Sequence, residues 1–151
     1  MKLSTKVRYG VRAMLDLALY QSGRPVLVKS IAEREDLSKK YLESLLAALK
    51  SAGLLRSVRG AKGGYLLARP AEEITMEMIA AALDGPLMLV DCVDNPGVCG
   101  RARDCVARDL WREMTASMRA TLRGTTLAAL ARKSAKREAK ARKAPAARAA
   151  E

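Results

Sequence analysis

The sequence predicts a mainly α fold: a winged helix-turn-helix with a small two-stranded β-hairpin as the wing, followed by a long dimerisation helix. Three observations carry this. Two short helical segments meet at a polar turn, and the second is amphipathic and basic, the outline of a helix-turn-helix. Directly after them, "LLRSVRGAKGGYLLARP" sets two apolar-rich runs around Gly60, Gly63 and Gly64 and ends at Pro70, which reads as a hairpin. Half of the residues are hydrophobic, yet the aromatics are one Trp, four Tyr and no Phe, so the core must be built from Leu, Val, Ile, Met and Ala. Such residues favour helix packing.

The elements follow in order. Val7, Val11, Met14, Leu15, Ala18 and Leu19 recur at three-and-four spacing and predict a first helix with one buried stripe, stopped by "SGRP" at 22–25. Ser30 and Glu33 in "SIAE" suit a capping box and predict a short helix to about Leu37. Ser38 offers the next cap, Leu42, Leu45, Leu46 and Leu49 share one face, and Gly53 is the natural stop. Thr75 caps a helix with Met78, Ile79 and Leu83, which "DGP" at 84–86 ends. A long helix is predicted from about Arg103 to Leu122, with Ala107, Trp111, Met114, Met118 and Leu122 in a stripe. A helix of about 20 residues spans about 30 Å, and a small domain offers that stripe few partners, so a second copy of the chain is the economical cover.

Charge and cysteine usage bound the function. A net charge of +12 points to an anionic partner. Half of it lies in residues 131–151, where eight Lys/Arg face two acids; this segment reads as a disordered basic tail adding salt-sensitive attraction to phosphates. The domain reading is therefore 1–85 for DNA binding, 86–130 for a cysteine loop and dimerisation helix, and 131–151 for the tail. Arg12 and Asp16 interrupt the apolar N-terminal run, so a signal peptide is not expected and a cytoplasmic location is. All three cysteines, Cys92, Cys99 and Cys105, fall within "DCVDNPGVCGRARDC", and no His exists anywhere. In a reducing compartment such grouping indicates metal binding or redox chemistry rather than a structural disulfide. Without a His base or a cofactor loop the chain does not read as an enzyme. The glycines of "GAKGG" lead into strand-like "YLLA", not a helix, which sets a phosphate-cradling loop aside.

Four stretches together resemble one family: "MKLSTKVRYGVRAMLDLAL", "YLESLLAALKSAGLLRSVRGAKGGYLLAR", the three-cysteine loop, and "CVARDLW". The chain is similar over residues 1–130 to the winged-helix bacterial regulators typified by the iron–sulfur cluster regulator IscR and the nitric-oxide sensor NsrR. The resemblance implies a homodimer that binds double-stranded operator DNA under control of a cluster held by the three cysteines, with no membrane and no small-molecule substrate as partner. Candidate DNA contacts are Lys39, Lys40, Tyr41, Glu43 and Lys50 on the second helix of the motif, and Arg59, Lys62 and Gly64 on the wing. Glu43 matches the position at which the IscR branch reads sequence; the alternative is an ordinary solvated carboxylate.

Six residues separate Cys92 from Cys99 and five separate Cys99 from Cys105, looser than usual zinc pairs and suited to a larger inorganic core. In the family the fourth ligand is a His three residues after the last cysteine, or an acid on the partner's first helix. Here those slots hold Arg108 and Arg8, and a guanidinium has no lone pair to donate. An oxygen donor from Asp91, Asp94, Asp104, Asp109 or Glu113, or an exchangeable small ligand, is then expected beside three thiolates, with [2Fe–2S] preferred to [4Fe–4S]. Alternatives are a thiol- or zinc-dependent repressor without a cluster and a non-specific architectural DNA binder.

Overall fold

In the computed structural model, residues 3–60 and 62–148 are described, with side chains through residue 141. The elements run α1 (Thr5–Tyr20), α2 (Val28–Glu35), α3 (Lys39–Ser51), β1 (Leu55–Val58), β2 (Gly64–Leu67), α4 (Met76–Asp84), α5 (Val106–Gly124) and α6 (Leu127–Arg148), with two 3-10 turns at Asp91–Val93 and Pro96–Val98. The architecture is the winged helix-turn-helix that the sequence predicts. β1 and β2 pair antiparallel, with Leu55 opposite Leu67 and Val58 opposite Gly64.

Local chemistry explains most boundaries. Ser4, Ser38 and Thr75 each accept a hydrogen bond from the amide three residues on, satisfying an otherwise orphaned donor at the starts of α1, α3 and α4. Gly53, at φ 71°, follows α3 in the left-handed conformation that lets the chain leave the helix. Asp36, at φ 51°, takes the same conformation after α2, and with Ser38 it makes the tight turn of the helix-turn-helix.

Three expectations need correction. Ser30 does not cap α2: the helix begins earlier, at Val28, because Val26 is bridged to Tyr65 of β2 and delivers Leu27 in extended conformation at the cap position. The buried face of α1 is Val7, Gly10, Ala13, Met14, Asp16 and Leu17, so Leu15, Ala18 and Leu19 sit at its margin. α1 is the central helix, touching α2, α3, α4, α6 and β2, and a helix covered on several sides does not bury one simple stripe. Nor do residues 131–148, the described part of the expected tail, lack structure. They continue α6, whose root is pinned when Leu127 and Ala128 donate to the carbonyls of Ile74 and Ala71 at 2.8 and 3.0 Å. Leu127 is fully buried in the core, and alanine-rich sequence propagates the helix from that nucleus. The tail's Glu151 and the side chains of Arg142, Lys143 and Arg148 lie outside the described residues.

One hydrophobic core joins Met14 and Leu17 of α1, Ile31 of α2, Leu42, Leu46 and Leu49 of α3, Leu55 and Leu67 of the hairpin, Ile79 of α4 and Leu127 of α6. Each such burial stabilises by about 1.5–3 kcal/mol. Asp16, buried on α1, receives two hydrogen bonds from the Arg34 guanidinium at 2.6 and 2.8 Å, and this pairing holds Arg34 above its ordinary pKa. Arg12 donates to Glu35 at 2.6 Å beside it. These two ion pairs fix α2 on α1.

The wing is located by close backbone approach. A Cβ on Gly64 would stand 2.2 Å from the Val26 carbonyl oxygen, and φ is 153° there. Gly64→Ala is expected to cost about 2 kcal/mol, lowering Tm by about 4–8 °C in a thermal melt. Gly100→Ala, with open space around it, is the control and should leave Tm unchanged.

Candidate functional site

α3 is oriented by its leucines. Leu42, Leu45, Leu46 and Leu49 are buried, which turns Lys39, Lys40, Glu43 and Lys50 to solvent. Lys39 lies 3.7 Å from Glu43 one turn on, an exposed pair of little energetic weight. Glu43 is thus not locked into the fold. Tyr41 differs from the others: it is half-buried, with its ring edge-on to Tyr9 of α1 at 6.1 Å, and the Arg12 guanidinium stands over Tyr9 at 5.3 Å. Tyr41 therefore braces α3 against α1. On the wing, Arg59 and Lys62 are exposed at the tip, where the Gly63 amide closes the turn onto the Gly60 carbonyl at 2.9 Å. Gly64 has the backbone-packing role already described. Sequence reasoning had not singled out Arg12 or Asp16 as anchors of the motif; the signal was their spacing, two charges one turn apart within an apolar helix.

The cysteine loop leaves Gly85 and returns at α5. Cys92 sits in the first 3-10 turn and is half-buried, Cys99 follows the second and is exposed, and Cys105 immediately precedes α5 and is half-buried. α5 starts at Val106, later than the predicted Arg103, because turns closed by Ala102 onto Cys99 and Asp104 onto Arg101 use the intervening residues. All three thiols are free.

Arginines of α5 hold this loop. Arg108 donates to the carbonyls of Cys92 at 2.6 Å, Val93 at 3.2 Å and Ala102 at 3.4 Å. Arg119, three turns further on, donates to the Leu87 carbonyl at 2.8 Å and to the Asp94 carboxylate, holding that carboxyl below its ordinary range. Thr115 lies between them on the same face, buried, its Oγ1 without a hydrogen-bond partner among the described residues. Beyond it Arg123 grips Glu77 of α4 at 2.8 and 3.0 Å and depresses that carboxyl's pKa in the same way.

Three uncommitted thiols within one short loop are suited to act as thiolate ligands. No group of three or more Cys, Asp or Glu side chains is gathered around one point among the described residues, so holding a cluster requires the loop to draw its cysteines together. Arg108 is occupied with carbonyls, and Arg8 is exposed on α1. Of the expected oxygen donors, Asp94 pairs with Arg119 and Asp109 with Arg112, while Asp91, Asp104 and Glu113 form no ion pair among the described residues.

The stripe predicted on α5 divides in two. Ala107, Trp111 and Met114 are exposed together with Val106 and Leu110, whereas Met118 and Leu122 are half-buried beside a cavity of about 630 Å³ that Leu3, Val7 and Leu87 also line. No helix among the described residues is long and apolar enough to cross a membrane.

If Arg108 is what fixes the loop, Arg108→Ala should raise the alkylation rate of Cys92 in metal-free, reduced protein by about tenfold, the equivalent of one charge-assisted hydrogen bond. Mass spectrometry of the labelled peptide measures it. Arg112→Ala, whose ion pair among the described residues is with exposed Asp109, should leave the rate as it is.

Known proteins share this fold over most of the chain. The family model Rrf2, described as iron-dependent transcriptional regulators, matches residues 3–133. Protein rrf2 of Nitratidesulfovibrio vulgaris is 42% identical over 132 residues, covering 87% of this chain and 88% of its own. Among solved structures, CymR, the global cysteine regulator of B. subtilis, superposes with a TM-score of 0.74 at 38% identity, covering 88% of this chain and 98% of its own. IscR of T. potens does so at 0.73 and 40%, covering 89% and 88%. These relatives are transcriptional regulators rather than enzymes. Taken with the winged helix-turn-helix and the cysteine loop, they establish that this chain belongs to the Rrf2 family of DNA-binding transcriptional regulators.

Proposed function

We propose that the chain works in the cytoplasm as a homodimeric regulator whose operator binding is controlled by an iron–sulfur cluster, [2Fe–2S] in preference to [4Fe–4S], held by Cys92, Cys99 and Cys105. The observation that carries this reading is the direct bonding of the cysteine loop to α5 through Arg108 and Arg119. When bound, such a cluster supplies a centre sensitive to oxidants, nitric oxide or cluster supply. The chain's own residues do the rest. Gathering three thiols moves the Cys92 and Val93 carbonyls on which Arg108 is anchored, and so loads or releases α5.

α5 is the natural dimer helix, since Val106, Leu110, Trp111 and Met114 are exposed along it and a second copy would cover them. Two recognition helices must match half-sites one or more helical turns apart, so a shift of α5 changes the fit. In this reading Lys39, Lys40, Glu43 and Lys50 enter the major groove, with Tyr41 at the edge of that surface. Arg59 and Lys62 reach the adjacent groove from the wing that Gly64 positions. Footprinting separates the regulator from an architectural binder, the former protecting one palindromic site and the latter coating DNA uniformly.

A second reading has one observation in its favour. The thiols are free and not gathered into a metal-binding group, which suits a thiol switch as well as a cluster, and a global cysteine regulator stands among the similar structures. Anaerobic purification decides between them. The cluster reading expects a coloured protein with about two iron and two sulfide per chain and a matching Mössbauer signature, all lost in Cys92→Ser. Colourless protein, or protein with one zinc per chain, contradicts it.

A further inference from the structure

The basic residues at the end of the chain lie on a helix of defined course. α6 is rooted by Leu127 and Ala128 and runs along α1. Ser134 and Glu138 line one cavity with Asp16 and Tyr20 of α1 and with Arg34 and Glu35 of α2, so α6 passes beside the helix that opens the helix-turn-helix. Arg132, Lys133, Lys136, Arg137 and Lys140 are all exposed, and none is in an ion pair among the described residues.

Their spacing makes two adjacent rows on the helix, with like charges one turn apart at 132 and 136, 133 and 137, and 136 and 140. Each such pair opposes the helix by repulsion, and the only acid in this stretch, Glu138, lies on the cavity side. A polyanion would relieve the strain.

We propose that α6 is a second DNA-contacting element, its basic face binding backbone phosphates that flank the operator. This rests on the DNA-binding reading of α3 and the wing, and extends it to a surface which neither includes. DNA is the polyanion that the helix-turn-helix brings to this chain, and rows of Lys and Arg on a fixed helix meet phosphates without reading bases. A membrane surface fits poorly. Interfacial helices oppose their basic face with Trp, Phe or Leu, whereas Ala131, Ala135 and Ala139 occupy the flank of this one.

The test uses the full chain and a variant carrying Arg132→Gln, Lys133→Gln, Lys136→Gln, Arg137→Gln and Lys140→Gln, which keeps helix propensity and is checked by circular dichroism. Operator affinity is measured from 50 to 200 mM salt on fragments with and without flanking duplex. With flanks, the slope of log K against log salt should become shallower by about 2–4 in the variant, at about 0.9 per phosphate contact, with base preference unchanged. Without flanks, the two proteins should agree. Equal slopes on the flanked fragment overturn the proposal, as does a variant that loses only its binding to anionic phosphatidylserine vesicles. Absence of salt-dependent DNA binding by the unaltered chain would instead sink the reading on which it rests.

Discussion

α5 is held to the rest of the chain by guanidinium groups along one face and by half-buried Met118 and Leu122 toward its end. It is 19 residues long, yet Thr115 is its one buried residue, while Trp111, Met114 and Leu110 face outward. Arg108 and Arg119 bind it to the cysteine loop, and Arg123 binds it to α4. Such bonds are directional and few, and those at exposed Arg123 are screened by solvent. A helix held in this way moves when its acceptors move. That is the property which the proposed coupling of the cysteine loop to DNA binding requires.

The DNA-reading half is built on the opposite principle. Leu42, Leu46 and Leu49 of α3, Ile31 of α2 and Met14 and Leu17 of α1 share one packed core, and the buried Asp16 carboxylate keys α2 to α1 through Arg34. Removing Arg34 would leave that carboxylate buried and uncompensated, so the seat of α2 on α1 is strongly specified. The two halves meet at α4, which packs on α1, α3 and α5. In the proposed coupling, displacement of α5 would reach the reading head through α4. The Gly64 and Val26 contact extends that rigidity to the wing.

Legibility in the sequence follows the range of the interactions. Ser38, Thr75 and Gly53 act within four residues, and the hairpin turn is equally local, so these elements could be read directly. Ser30 misled because a long-range bridge from Val26 to Tyr65 decides where α2 starts. The course of the last helix is not legible because composition carries no information about docking: Leu127 and Ala128 root α6 by bonds to the carbonyls of Ile74 and Ala71 far upstream. At the site, the three cysteines stood out by clustering. The role of Arg108 did not, since its chief acceptor lies 16 residues away and nothing local distinguishes it from Arg112. Knowing that Arg108 is no ligand was possible from its chemistry; knowing that it secures the loop required the fold.

Coupling between the cysteine loop and the spacing of two reading heads is the claim on which this account stands. It is tested most directly by titrating one promoter fragment with cluster-loaded and metal-stripped preparations of the full chain at a single salt concentration. The account predicts different affinities, or a different preference between promoter sequences, in the two forms. Indistinguishable affinity and preference would contradict it and leave a helix-based regulator whose cysteines have no bearing on DNA.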